Sequence, residues 1–417
     1  MYNIFNRVEG GCRMGDRIIL HCDCNSFFAS VETVLRPELA NVPMAVAGDP
    51  ESRHGIILAK NEKAKKYHIQ TAETIWQARR KCPNLVLVPP HHDLYREYYH
   101  KNNRIYLDYT DLVEPFSIDE SFLDVTHSLH LFHMSPKELA DTIRRRIREE
   151  VGITVSVGVS FCKIFAKLGS DYKKPDATTV IMREDVPNIV YPLPVTSLLF
   201  VGKRSAEALN RFSIRTCGEL AACDRAFLNH ILGKQGDTLW RDIHGLDQEP
   251  VSSYYTRREP KSIGNSMTFP DDLRGEAEIR SGIHLLSDSV ASRLREAERK
   301  CCGVQVGVRD PQFRTRQRQT KLTEPTCLQK DIEEAAMQLL RSNWNLDRPV
   351  RLLSVTGYDL IREGEEPVRQ LSLFDPPSRS EQSPDQQDRE ILEKTMDEIR
   401  KKYGKGSISF GIPNKGS

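Results

Sequence analysis

The sequence predicts an α+β protein built from several domains. Strand-like and helix-like patterns alternate from residue 17 to about residue 183, as they do in a sheet covered by helices. Between about 190 and 250, glycines separate short helical segments, and residues 261–358 return to a mixture of strands and helices. The chain has 417 residues, more than one ordinary domain holds, so we expect about two to four domains.

The individual elements follow from hydrophobic periodicity and from turn residues. Residues 17–23 form an apolar run that predicts a buried strand ending in an acid, Asp23. Ser26 is the predicted N-cap of a helix that continues to about Leu35, before Pro37. Further patterns predict strands at 44–47, 55–59, 154–160 and 178–182, two short strands within 115–125, and helices at 60–68, 73–82, 91–110, 136–150 and 161–168.

Composition excludes some classes of protein and leaves the partner open. The formal net charge is only +2, so a surface that binds nucleic acid would have to be a local basic patch. The sequence lacks a run of about 18 apolar residues, and its first residues lack the apolar segment of a secretory signal. The 10 cysteines are scattered without zinc-site spacing, which favours free thiols. We therefore expect a cytoplasmic protein without a membrane span.

Three acidic residues are candidates for a metal site. Asp23 ends the first predicted strand, and Asp119 and Glu120 are neighbours in a second strand-like segment. Carboxylates on apolar strands are costly unless they are paired or bound to metal, and their oxygens suit Mg²⁺. An acid at the end of a strand can equally be a cap. Adjacent strand residues also point to opposite faces, so both acids can face one ion only if the backbone bends.

Four segments combine acids, aromatic residues and lysines in a fixed order along the chain. They are residues 23–32, 117–124, 165–176 and 261–264. The ordered set resembles the motifs of Y-family DNA polymerases of the bacterial polymerase IV type, over about residues 17–360. The resemblance implies a right-hand fold with these parts: a palm with a mixed sheet (1–25 and 90–185), small fingers (26–89), a helical thumb (186–250), an α/β little finger (258–360) and a flexible tail (363–417).

The same resemblance assigns roles to residues around the acids. It implies that Asp23, Asp119 and Glu120 bind two Mg²⁺ ions, with the backbone carbonyl of Cys24 as a further ligand. Phe28 would be the steric gate, an aromatic ring that leaves no room for the 2′-hydroxyl of a ribonucleotide. A buried core phenylalanine is the other interpretation, and it suits the neighbouring Phe27 better.

Two lysines would bind the triphosphate of the incoming nucleotide. Lys174 matches the lysine of the family that meets the triphosphate. Lys65 stands where relatives have an arginine, so the positive charge is kept but the bidentate hydrogen bonding of a guanidinium group is lost. Glu62 stands where relatives have a tyrosine that touches the triphosphate, and we expect its carboxylate to point away. Asn25 stands where many relatives have an acid that does not bind the metal.

Two further regions are candidates for DNA contacts. Residues 199–205 resemble a helix-hairpin-helix turn, in which Gly202 and Lys203 would meet a DNA phosphate. Arg314, Arg316 and Arg318 alternate, so on a strand they share one face and would make phosphate contacts that depend on salt. The alternative interpretation is a solvated basic edge strand that deters aggregation.

The tail contains a short apolar segment in polar surroundings. Its residues resemble the peptide with which bacterial polymerases bind the sliding clamp, and the alternative is a chance apolar cluster in a linker. The residues expected to bind the clamp are Gln370, Leu371, Leu373 and Phe374. A charged helix at about 387–403 has no role that the sequence indicates.

Together these features predict a template-directed DNA polymerase of low fidelity that copies damaged template during DNA repair. Its partners would be primer-template DNA, deoxynucleoside triphosphates and a sliding clamp, and we expect a monomer. Two alternatives stay open. A palm-type nucleotidyl cyclase would need no primer-template, and a non-catalytic relative would bind DNA or the clamp without incorporating nucleotides.

Overall fold

The chain forms two compact units in a computed structural model. Unit 1 comprises residues 1–257 and unit 2 comprises residues 258–417. The structure describes residues 16–52, 55–256, 259–362, 365, 384–404 and 406–410. Within this described part, no helix is long and apolar enough to cross a membrane.

A five-stranded mixed sheet forms the centre of unit 1. Its strands are β1 (Ile19–Cys24), β5 (Val113–Pro115), β6 (Glu120–Asp124), β7 (Val155–Ser160) and β8 (Thr178–Ile181), in the order β5-β6-β1-β7-β8. Strand β1 is fully buried and pairs antiparallel with both β6 and β7, whereas β7 and β8 are parallel. The central, buried position of β1 explains why the sequence there is largely apolar on both faces rather than alternating, with His21 and Asp23 as its polar members.

Helices cover the sheet and close its core. They are α1 (Phe27–Leu35), α4 (His92–Leu107), α5 (Pro136–Arg146) and α6 (Lys163–Tyr172). Helix α1 buries Phe27 and Val31, as its spacing predicts. The predicted N-cap is wrong in one respect: Ser26 precedes the helix, but its backbone is left-handed (φ 49°) and its side chain makes no capping hydrogen bond. Its hydroxyl is 3.5 Å from Oε1 of Glu62 instead.

A second, three-stranded sheet lies between α1 and α4 in the chain. It contains β2 (Met44–Ala47), β3 (Ile57–Lys60) and β4 (Val86–Val88), with β2 in the middle, and it is accompanied by α2 (Glu62–Lys65) and α3 (Ile75–Lys81). Helix α3 begins at a capping box in which the side chains of Thr74 and Gln77 bond each other's backbone N–H. Its small core includes Ala45, Ile57 and Ile75.

The last part of unit 1 is helical, as the glycine-separated pattern predicts. Its α-helices are α7 (Lys203–Asn210), α8 (Cys217–Ala221), α9 (Arg225–Leu232) and α10 (Lys234–Ile243). They share a core to which Leu209, Leu228 and Leu239 contribute, and which also takes in Phe165 of α6. Helix α6 therefore connects the central sheet with the helical region.

Unit 2 is an antiparallel sheet covered on one face by two helices. The sheet consists of β9 (Ser262–Leu273), β10 (Arg299–Arg309), β11 (Thr315–Thr326) and β12 (Val350–Arg362), in the order β11-β10-β12-β9. The covering helices are α11 (Gly275–Glu296) and α12 (Gln329–Asn343), and the core between the layers includes Val304, Val306 and Val355. One face of the sheet is thus apolar, and the other, called the open face below, carries no helix within the described residues of unit 2.

A third layer of unit 2 corrects the prediction of a flexible tail over 363–417. The charged segment predicted at 387–403 is helix α13 (Pro384–Tyr403), and it packs on the helices rather than remaining free. Arg295 of α11 contacts Glu393 and, at 2.7 Å, Asp397. Arg400 pairs with Asp288 at 2.9 Å, and Met396 is buried. The prediction is therefore wrong for this helix, because buried ion pairs fix it.

Candidate active site

The three candidate acids lie at the same end of neighbouring strands. Asp23 of β1 and Glu120 of β6 are directly opposite each other in the antiparallel register. Asp119 precedes β6, in the turn that leads from β5, and its carbonyl oxygen accepts a hydrogen bond of 3.0 Å from the N–H of Cys24. Because the backbone turns at Asp119, the side chains of Asp119 and Glu120 are not forced to opposite faces of the sheet as adjacent strand residues would be. All three acids line one cleft.

Two lysines from a neighbouring segment lie among these acids. The Lys167 ammonium on α6 is 3.0 Å from Oδ2 of Asp23 and 2.9 Å from Oε1 of Glu120. The Lys174 ammonium is 2.7 Å from the same Asp23 oxygen and 2.7 Å from Asp171. Cations from the segment around α6 thus offset part of the negative charge of the acidic cluster.

Close backbone packing brings α6 to the acids. Gly158 of β7 lies against α6, where a Cβ atom would be 1.9 Å from the carbonyl oxygen of Ala166. Any side chain at Gly158 would therefore push α6 away from the sheet. The glycine allows Lys167, the next residue of the helix, to reach across to β1 and β6.

The environment shifts the ionisation of these groups in opposite directions. Burial opposes the charge of Glu120, but contacts with His21 and Lys167 outweigh it and hold the pKa of Glu120 below its ordinary value. Burial raises the pKa of Asp119, the Ser117 hydroxyl opposes this, and the charges of Asp23 and Glu120 add to it. Burial also works against the Lys167 ammonium, yet the acids around it keep its pKa above the ordinary value.

The cleft has a volume of about 450 Å³, within the range of small-molecule sites. The acids form one wall, and β3 with the segment after it forms another, which carries Lys60, Lys65 and Thr71. Anionic and cationic groups therefore face the same space. Such an arrangement suits a ligand that carries both phosphate groups and bound cations.

Phe27 and Phe28 both line the cleft, but Phe27 is a buried residue of the core, whereas Phe28 is only partly buried. The ring of Phe28 stacks on Tyr95, with 4.0 Å between centroids and 12° between planes. The Tyr95 hydroxyl donates to Oε1 of the buried Glu32 at 2.6 Å, and His91 contacts the same oxygen at 2.7 Å. The Phe28 ring is thus backed by an anchored aromatic side chain, so its position is fixed from behind.

Lys65 lines the cleft but is already paired. Its ammonium is 2.5 Å from Oε1 of Glu62, three residues earlier in the chain. The expectation that Glu62 points away from the nucleotide site is therefore only partly met: Glu62 does not line the cleft, but it holds a residue that does. Both side chains are largely exposed, so the pair can exchange partners at little cost.

Asn25, the other departure from the family pattern, has a structural role. Its amide group donates to the Ser156 hydroxyl at 2.9 Å, and its carbonyl oxygen accepts from the Thr154 hydroxyl at 3.0 Å. The same oxygen accepts a 2.8 Å hydrogen bond from the backbone N–H of Asp176. Asn25 thereby ties the segment that carries Lys174 to the central sheet.

Several residues of the site were not singled out from the sequence. Lys167 and Asp171 lie one helical turn apart on α6, a spacing that places them on one face, but this signal identifies no partner. His21 is buried beneath the acids, with Nδ1 at 2.8 Å from the Ser170 hydroxyl and Nε2 at 3.5 Å from Glu120. Burial lowers the pKa of His21. Only the fold reveals that β1 and α6 meet.

The residues predicted to contact DNA are found at exposed positions in each unit. Gly202 is the N-cap of α7, and the Lys203 side chain is 91% exposed. Arg314 lies in the turn before β11 rather than in the strand, paired with Asp310 at 2.9 Å. Arg316 and Arg318 lie in β11 and share a face, as predicted.

The register identifies which face the two arginines occupy. Arg316 and Arg318 stand opposite Val308 and Val306, two valines of the core beneath α11 and α12. Arg316 accordingly lies over the ring of Trp344, 5.8 Å from its centroid. The open face of the sheet presents mostly small and amide residues, together with two basic residues, Lys321 opposite Gly303 and Arg309 opposite Thr315. The small and amide residues include Gly303, Gln305, Gly307, Gln317, Gln319, Ser354 and Thr356. The predicted clamp peptide, with Gln370, Leu371, Leu373 and Phe374, lies outside the described residues.

Comparison with known proteins identifies the family. Residues 22–171 match the impB/mucB/samB family, and residues 260–373 match the C-terminal domain of that family. In fold, the chain resembles a chimera of Y-family DNA polymerases with a TM-score of 0.73 at 24% identity, covering 83% of this chain and 100% of the other. The fold is that of a Y-family polymerase.

Relatives of similar length narrow the family further. The chain is 44% identical to DNA polymerase IV of Acetivibrio thermocellus over 396 residues, which cover 95% of this chain and 97% of the relative. It is 38% identical to DNA polymerase IV 1 of Bacillus subtilis over 399 residues, 96% of this chain and 94% of the relative. The chain therefore belongs to the DNA polymerase IV family, and its enzymatic class is DNA-directed DNA polymerase with a translesion function.

Proposed function

We propose that this polymerase adds deoxynucleotides to a primer 3′ end at the cleft between Asp119, Glu120 and Phe28. The observation that carries the proposal is the convergence of Asp23, Asp119 and Glu120 on one wall, opposite lysines and an aromatic gate. Attack of the primer 3′-hydroxyl on the α-phosphate releases pyrophosphate. The residues contribute by positioning the reactants and neutralising charge.

The carboxylates fit the two Mg²⁺ ions that we propose for this reaction. Within the described residues, no three acidic, histidine or cysteine side chains are already arranged as a metal site. The donors nevertheless fit in kind, because Asp23 and Glu120 face each other and already share a cationic partner at 3.0 and 2.9 Å. When bound, the ions would activate the 3′-hydroxyl and stabilise the leaving pyrophosphate. Asp23, Asp119, Glu120 and the Cys24 carbonyl would hold them.

The cations of the cleft are suited to the nucleotide. Lys174, beside Asp23, and Lys65, on the opposite wall, would bind the triphosphate, and Lys60 lines the same space. Phe28 would pack under the sugar and exclude a 2′-hydroxyl, because Tyr95 behind it prevents the ring from retreating. These roles explain a preference for deoxynucleotides without any polar contact to the sugar.

The contacts with DNA are proposed separately for each unit. In unit 1, the exposed turn at Gly202 and Lys203 would bind a phosphate of the duplex. In unit 2, we propose that Arg314, Arg316 and Arg318 bind phosphates at the edge of the sheet, and that the open face offers hydrogen bonds beside them. Gln370, Leu371, Leu373 and Phe374 would bind the sliding clamp, and the polymerase would act as a monomer in the cytoplasm.

Primer extension by an isosteric double variant tests the proposed site. Asp119→Asn/Glu120→Gln keeps the shape of the turn and removes two negative charges. We expect template-directed incorporation by the wild type with Mg²⁺ and a loss of at least about 10³-fold in the variant, since the charge-stabilising groups are removed. The matched control is Glu149→Gln/Glu150→Gln, an adjacent pair of exposed acids at the end of the α5 segment, away from the cleft.

The substrate requirement separates this function from its alternatives. Product formation must depend on primer-template, because a nucleotidyl cyclase would convert free nucleotides without it. A folded wild-type protein that binds primer-template but extends it no faster than the double variant would contradict the proposed function. It would favour a non-catalytic binding protein instead.

A further inference from the structure

The Lys167 ammonium occupies the position between two opposed carboxylates. It is 3.0 Å from Asp23 and 2.9 Å from Glu120, and its side chain is only 13% exposed. Carboxylates directly opposite each other on neighbouring strands repel, and burial strengthens the repulsion. A cation in this position therefore offsets the repulsion between the two carboxylates and stabilises the pairing of the two strands.

We infer that Lys167 is a built-in counter-cation, which holds Asp23 and Glu120 together before a divalent ion binds and competes with that ion for the same oxygens. This inference rests on the proposed metal site. Oδ2 of Asp23 also contacts Lys174 at 2.7 Å. A metal ligated by these oxygens must displace lysine contacts, so Lys167 weakens metal binding by the free enzyme.

An acidic residue that can pair with the displaced lysines lies on the same helix as Lys167. Asp171, one turn after Lys167, is 3.4 Å from the Lys167 ammonium and 2.7 Å from the Lys174 ammonium. Its side chain is half exposed, so it can follow the lysines with little loss of packing. Metal loading would shift both ammonium groups towards Asp171. Lys167 is thus a positioning residue that couples the metal site to the triphosphate-binding lysine.

Metal binding without nucleotide or DNA tests the inference. Lys167→Gln and Lys167→Met remove the charge, and we expect each to bind Mn²⁺ at least about fivefold more tightly than the wild type, measured as free Mn²⁺ by electron paramagnetic resonance. In EDTA the same variants should melt at a lower temperature, and Mn²⁺ should raise their melting temperature by more than it raises that of the wild type.

Two controls distinguish charge from packing. Lys167→Arg keeps the positive charge and should bind Mn²⁺ as weakly as the wild type. Lys173→Gln removes an exposed lysine from the same segment and should change neither affinity nor melting temperature. A purely structural role of Lys167 predicts weaker metal binding in the neutral variants, the opposite sign.

The outcomes separate this inference from the proposed function. Folded neutral variants, checked by circular dichroism, that bind Mn²⁺ no more tightly than the wild type would overturn the counter-cation role alone. If the wild type bound no more Mn²⁺ than Asp119→Asn/Glu120→Gln, the metal site itself would be wrong and the inference would fall with it.

Discussion

Replacing Arg295 by methionine should destabilise unit 2 more than any surface substitution. The Arg295 side chain is 3% exposed and lies between Glu393, which is 5% exposed, and Asp397 of α13. It also donates to the carbonyl oxygen of Cys327 at 2.9 Å. Removing one partner of a buried ion pair costs about 3–5 kcal/mol, because the remaining charge is left unpaired. Because Arg400 lies 3.7 Å from Asp397 and remains as its partner, we expect a loss of stability near the lower end of this range.

Tryptophan fluorescence during urea unfolding can measure this loss within the full chain. The sequence contains 3 tryptophans, and in a Trp76→Phe/Trp240→Phe background Trp344 reports on unit 2. The matched control is Lys330→Met, which removes a long cation from an exposed pair on α12, where we expect a change below about 1 kcal/mol. Equal midpoints for the Arg295 and Lys330 variants would refute the reasoning.

A double substitution examines the cause of the loss. Burial raises the pKa of Glu393 even though Arg295 and the backbone of Gln329 oppose the shift, so its carboxylate is itself costly to bury. Arg295→Met/Glu393→Leu removes both charges and should recover part of the stability lost in Arg295→Met, because no charge of that pair is left unmatched. A double variant less stable than the single one would show that packing, rather than charge, fixes α13.

Three further predictions concern unit 1. Phe28→Ala should raise ribonucleotide incorporation relative to deoxynucleotide by about 10- to 200-fold in single-nucleotide extension, whereas Phe313→Ala should not change it. Lys174→Gln should raise KM for the nucleotide by about tenfold, with Lys173→Gln as the control, since a charged phosphate contact is lost. Burial, aided by the charge of Asp247, raises the pKa of Asp242 to about 6. The free energy of unfolding should therefore be highest below pH 4, where Asp242 is protonated in both states, and fall as the pH rises towards 6. Asp242→Asn should remove this pH dependence and add about 1 kcal/mol to the free energy of unfolding at pH 7.5, after allowance for partial exposure.

The sequence predicts the elements better than it predicts their contacts. The periodicity of residues 17–23 and 26–35 identified the buried strand and the helix within a few residues. The same reasoning located the charged helix near 387–403 but gave it no role. Its docking depends on Arg295, about a hundred residues earlier, and a pairing over such a distance leaves no signal in either segment.

Strand β11, for which we propose DNA contacts, shows the same limit in another form. Alternation correctly placed Arg316 and Arg318 on one face, because the side-chain period of a strand is two. Which face that is depends on the pairing of β11 with β10, where the opposite residues are core valines. Arg316 and Arg318 therefore border the helix layer, and the residues that alternate with them form the open face, where the basic residues are Lys321 and Arg309.

The candidate active site contains both residues that the sequence predicts and a contact between distant elements that it does not. Its acids could be predicted because each ends a strand or follows a turn, and the turn at Asp119 resolves the alternation that placed Asp119 and Glu120 on opposite faces. Lys167 could not be predicted to lie among them, since its approach depends on the missing side chain of Gly158. At this site the cation comes from a third element, helix α6, and therefore does not interrupt the pairing of β1 with β6. The residue hardest to find in the sequence is thus the one that lets the predictable residues stay together.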